Sequence, residues 1–104
     1  MGASQFIVTG HGVDVGKAFD AAVSAAQHES GHGGYTGTIA EKSDYVIIAA
    51  TGPLPISRKV ADLEALRLLR EDDDRISDKW GPAGAIRFTE DGKTGWIFFG
   101  WASE

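Results

Sequence analysis

Residues 85–102 read Ala85-Ile86-Arg87-Phe88-Thr89-Glu90-Asp91-Gly92-Lys93-Thr94-Gly95-Trp96-Ile97-Phe98-Phe99-Gly100-Trp101-Ala102. Two apolar and β-branched runs, Ala85 to Thr89 and Thr94 to Ala102, flank Glu90-Asp91-Gly92-Lys93. Asp-Gly between two such runs is the strongest short-range hairpin signal, so the chain closes in a β-hairpin. In the second strand alternate side chains point to opposite faces: Trp96 and Phe98 share one side, and Ile97, Phe99 and Trp101 share the other. Both sides are apolar, the pattern of a strand buried on both faces.

Upstream of the hairpin, Gly81-Pro82 stops any helix, and Ser57 is placed to cap one that carries Val60, Leu63, Leu66, Leu68 and Leu69. The acidic run Glu71 to Asp78 interrupts or ends that helix, and a further turn carries Ile76 and Trp80. Thr51-Gly52-Pro53-Leu54-Pro55 breaks the sheet pattern. Before it, Thr36 to Glu41 and Tyr45 to Ala50 read as two strands joined by Lys42-Ser43-Asp44, a second hairpin. Asp14 caps a first helix with Val15, Phe19, Ala22 and Ala26 on one stripe, and this helix ends near Gly31. Gln5 to Gly10 is the first strand.

The order is β-α-β-β-α-β-β, without linker or repeat, over one domain of residues 1–104. This order predicts an α+β fold: a ferredoxin-like antiparallel sheet, two helices on one face and an added C-terminal strand. The opposite face of the aromatic last strand then needs a cover, which predicts a homodimer or higher homo-oligomer built on it.

With 104 residues, 42% hydrophobic and 24% charged, the composition is that of an ordinary globular domain. No apolar run approaches the roughly 18 residues of a membrane span, and Met1-Gly2-Ala3-Ser4-Gln5 lacks the features of a signal peptide. The chain has no cysteine, which fits a reducing compartment and excludes thiolate metal sites and thiol nucleophiles. The expected setting is therefore the cytoplasm, with no membrane partner. A net charge of −5 argues against nucleic acid, whose phosphates demand a basic face. The run at Glu71 to Asp78 is either a solvated helix end or a patch that docks on a basic partner.

His28-Glu29-Ser30-Gly31-His32 spells H-E-x-x-H. On a continuous helix this sets two imidazoles one turn apart beside a carboxylate, the core of a zinc hydrolase in which His28 and His32 bind metal and Glu29 polarises water. The metzincin continuation fails, because Tyr35 stands where it needs Gly and Thr38 where it needs His. No third ligand is marked, and Gly33-Gly34 undercuts the helix. The leading expectation is therefore that no cofactor is bound, with zinc the alternative. Thr9 to Ala18 sits between strand and helix like a phosphate loop, yet has His11 and Ala18 where a Walker loop needs Gly and Ser or Thr. Gly31-His32-Gly33-Gly34-Tyr35-Thr36-Gly37-Thr38 holds more glycine than one helix stop requires, and offers His32, Tyr35, Thr36 and Thr38 to a bound group.

Residues 31–42, Asp78 to Ile86 and the closing Phe98-Phe99-Gly100-Trp101-Ala102 together resemble a group of small uncharacterised proteins encoded by bacteriophages and other mobile elements. The resemblance covers most of the chain and implies no reaction. It implies an accessory role in which a small acidic protein binds a host protein. The expected function is therefore non-enzymatic protein binding, with His32, Tyr35, Thr36, Thr38, Trp80, Trp96 and Trp101 as contact residues. The alternatives are the zinc-dependent hydrolase and a small-ligand binder or sponge for a nucleotide-like molecule.

Overall fold

A computed structural model of the chain describes residues 2–31, 36–49 and 55–104. Among these residues four strands and two helices follow the order β1 (Ala3–His11), α1 (Val15–Ser30), β2 (Tyr45–Ile47), α2 (Arg58–Arg70), β3 (Ala83–Glu90) and β4 (Lys93–Ser103). The α+β class expected from the sequence is borne out. The terminal hairpin forms as its turn chemistry predicts: Asp91 at φ 53° and Gly92 at φ 76° both take the positive values of a type I′ turn. Both predicted caps are present. The Asp14 carboxylate accepts from the Lys17 amide at 3.1 Å, and the Ser57 hydroxyl from the Val60 amide at 3.2 Å.

The sheet order is β1-β4-β3-β2, and β4 is antiparallel to both of its neighbours. β2 runs parallel to β3, pairing Tyr45 with Ala83 and Ile47 with Ala85, so the sheet is mixed where an antiparallel one was expected. β1, β2 and β3 thus all point the same way. The connection from β1 to β2 crosses the sheet in one direction, and the connection from β2 to β3 returns in the other. Crossovers between parallel strands keep one hand, and one hand applied in two directions puts the two helices on opposite faces.

The two cores record this placement. On one face α2 lays Ala61, Ala65, Leu68 and Leu69 over Ile86, Phe88, Ile97 and Phe99. On the other, α1 brings Ala18 and Phe19 onto Phe6, Ala85, Trp96 and Phe98. Phe19 meets Tyr45 and Phe98 with ring centroids 5.0 and 5.6 Å away, the latter edge to face. The expectation of both helices on one face is therefore corrected, and with it the uncovered face on which self-association was placed. Phe98 and Phe99 are both fully buried because each has its own helix.

Two further expectations change. The segment expected as the strand Thr36 to Glu41 instead forms a 3-10 turn over Ile39–Glu41, capped by the Thr38 hydroxyl, with Ile39 fully buried. A local bond and one long-range bond take the place of a ladder: the Thr36 hydroxyl donates to the Glu41 carboxylate at 2.7 Å, and the Gly37 amide donates to the Ser103 carbonyl of β4 at 2.8 Å. On α2 the buried stripe runs through Ala61, Ala65, Leu68 and Leu69, while Val60, Leu63 and Leu66 are exposed. The alanines let the helix sit close to the sheet, and the larger side chains fall outside the contact.

Candidate binding surface

The connection between α2 and β3 is anchored in two places. Ile76, 1% exposed, plugs into the α2 core. Downstream, the buried Lys42 ammonium donates to the carbonyl oxygens of Asp78, Lys79 and Gly81 at 3.3, 3.2 and 2.7 Å. These acceptors use all three donors of the ammonium and close the turn around it. Burial pushes the Lys42 pKa down, and the neighbouring Asp78 charge partly opposes this. Within the turn, the Asp78 carboxylate accepts from the Trp80 amide at 2.8 Å, and the Gly81 amide donates to the Asp78 carbonyl at 2.9 Å.

This pinned turn displays Trp80, which is 66% exposed, the most exposed aromatic side chain among the described residues. The Lys79 ammonium lies 5.4 Å from the ring centroid and donates to the Gly2 carbonyl at 3.3 Å. The acidic run leads into the same connection. In it Asp73 pairs with Arg75 through the guanidinium at 2.9 and 3.0 Å, which holds its carboxyl at about 2. Glu71, Asp72, Asp74 and Asp78 are exposed.

The other residues singled out for binding are not gathered at Trp80. Thr36 and Thr38 join each other at 2.8 Å and serve the 3-10 turn. Trp96 is buried, its indole nitrogen donating to the Gly12 carbonyl at 3.0 Å, so it fastens the β1–α1 turn to β4. Trp101 points to the opposite face and packs, half-buried, against the α2 core. Its indole nitrogen and the Ser103 hydroxyl are buried without a hydrogen-bond partner among the described residues. The aromatic strand β4 thus lies inside the sheet between β1 and β3, and Trp96 is corrected from a contact residue to a packing one. His32 and Tyr35 lie outside the described residues.

The helical geometry that H-E-x-x-H relies on stops short. α1 ends at Ser30, and Gly31 takes φ 85° with its amide bound to the Gln27 carbonyl, so His28 and Glu29 occupy an exposed last turn. Among the described residues no group of three or more His, Asp or Glu side chains is arranged to hold a metal ion. At the other end of α1, the Asp14 carboxylate occupies the amide site where a phosphate would rest, and its charge opposes an anion there. A shallow hollow of about 340 Å³ lies between Pro55-Ile56 and β3, and two more of about 310 and 410 Å³ flank the β1–α1 turn and the tip of the β3–β4 hairpin. They bring His11 near Lys93 and Thr94 without enclosing a cavity.

Nothing local marks Lys42, because its acceptors lie 36 to 39 residues away and its neighbours read as a polar turn. No helix among the described residues is long and apolar enough to cross a membrane. Searches of the chain against protein-family models, curated proteins and solved structures find no match.

Proposed function

We propose that the protein is a non-enzymatic binding domain of the cytoplasm that docks on a second protein through Trp80 and the turn carrying it. The observation that carries this reading is a 66% exposed tryptophan on a turn pinned from beneath by a buried ammonium. An indole held in place loses little conformational entropy on binding, and tryptophan is among the residues most enriched at the energetic centres of interfaces. Exposed Glu71, Asp72, Asp74 and Asp78 in the same connection favour a partner whose apolar pocket has a basic rim. The resemblance to small phage-encoded proteins makes a host protein the expected partner.

The test is a purified partner, captured with the wild-type chain and titrated by calorimetry against wild type, Trp80→Phe and Trp80→Ala. Trp80→Ala should weaken binding by about 30-fold or more, the effect of losing about 2 kcal/mol at a hot spot, with Trp80→Phe intermediate. Equal affinities for all three proteins would remove Trp80 from the interface.

A further inference from the structure

β1 is an outer strand of the sheet, nine residues long, and its register against β4 runs unbroken from Ala3↔Ser103 to His11↔Gly95. The Gly12 amide donates to the Thr94 carbonyl, and the Gly2 carbonyl accepts from the Glu104 amide. Even-numbered residues of β1 therefore turn their backbone groups toward β4. Ala3, Gln5, Ile7, Thr9 and His11 turn theirs outward. No described strand pairs with this edge.

Natural edges of this length are blunted by lysine, proline or a bulge. β1 has none of them, and no aspartate, glutamate, lysine or arginine occurs before Asp14. On a chain of net charge −5, two copies repel across most of their surface, and a strand with no Asp, Glu, Lys or Arg of its own is where they can approach. Apolar side chains border it. Ile7 is 37% exposed on the α2 face of β1. Arg58 of α2 donates to the Thr9 hydroxyl at 3.2 Å, so the side of α2 through residues 58, 62 and 66 faces β1, and Leu66, 39% exposed, lies on that side.

We infer that the outer edge of β1 pairs with the same edge of a second copy of this chain, antiparallel about a two-fold axis at Ile7. Ile7 then opposes Ile7, Gln5 opposes Thr9 and Ala3 opposes His11 across the axis. Every outward-facing residue of β1 falls on a hydrogen-bonding position, about ten backbone bonds in all. The two sheets become one of eight strands, and the two Ile7 and two Leu66 side chains line a shared apolar seam. The pairing leaves both sheet faces under their own helices and is independent of Trp80.

The test combines mass with amide exchange on the wild-type chain. Light scattering at 100 μM should give about 22 kDa, twice the 11.0 kDa of the chain. The amides of Gln5, Ile7 and Thr9 should exchange at least tenfold more slowly there than at 1 μM. Gln5→Pro removes only an outward amide, and Ile7→Lys sets a charge on the seam; each should return the mass to that of the monomer with the far-ultraviolet circular dichroism unchanged. A wild-type monomer at 100 μM overturns the inference. So does a dimer in which these three amides exchange as fast as in the dilute protein, because it would use another surface. If either variant fails to fold, the wild-type exchange pattern still decides.

Discussion

The Lys42 ammonium donates to the Gly81 carbonyl at 2.7 Å, joining residues 39 positions apart in the chain. Two more carbonyls converge on the same nitrogen, so the turn before β3 is held by a side chain from the segment before β2. Lys42→Met keeps the volume and deletes the donors; the Asp78 carbonyl retains the Gly81 amide, and the Lys79 and Gly81 carbonyls lose the ammonium. Its expected cost is about 2–4 kcal/mol, read from urea unfolding. Exchange of the Gly81 amide should quicken more than that of amides in α1, and uniform quickening would mean that Lys42 supports the whole fold rather than the turn.

Trp80 contributes little to that stability. With two thirds of its surface in water, Trp80→Ala should change unfolding free energy by less than about 0.5 kcal/mol, the usual range for exposed positions. A loss above 1.5 kcal/mol would recast Trp80 as a packing residue, and its use as a docking contact would fall with it.

Gly95 faces the ring of Phe88, and a Cβ there would overlap the ring. Gly95→Ala should therefore cost about 3 kcal/mol, the upper end for overpacking in a tight core. The double variant Gly95→Ala with Phe88→Leu should recover part of the loss. Additive losses would show that the strain lies elsewhere.

Acid should weaken the protein partly through Asp73. Its carboxyl titrates at about 2 in the folded chain against an ordinary value of 3.8, because Arg75 bonds the charged form. A lowered carboxylate pKa stabilises the fold fully above the ordinary value and is lost as pH falls toward the folded value. The pair lies at the surface with Arg75 about half exposed, so solvent screening keeps the effect under about 1 kcal/mol. In thermal melts between pH 5 and 2, Asp73→Asn should show a shallower decline than wild type, and parallel curves would remove the Asp73–Arg75 pair from the account.

Local signals in the sequence carried the secondary structure where the chemistry was local. Asp91-Gly92 specified its turn because both residues tolerate positive φ, and Asp14 and Ser57 specified helix starts because each hydroxyl or carboxylate reaches an amide three residues on. Residues 36–41 misled because β-branched content favours a strand, whereas Thr36, Thr38 and Glu41 satisfy one another as a compact turn. Of the binding residues named from the sequence, Trp80 is exposed, Trp96 is interior and Trp101 is half-buried. Residue type alone did not separate them.

By itself the sequence determined the class of the fold, the terminal hairpin and a last strand with two apolar faces. Only the tertiary structure decided what covers those faces. Strand order depends on pairings between residues far apart in the chain, and β4 inserts between β1 and β3, where no local pattern places it. Once it does, the two crossovers run in opposite directions across the sheet, and a common hand sends α1 to one face and α2 to the other. The double apolar face of Trp96 to Trp101 is thereby used up within one chain, and among the described residues the outer edges of β1 and β2 are left without a partner strand.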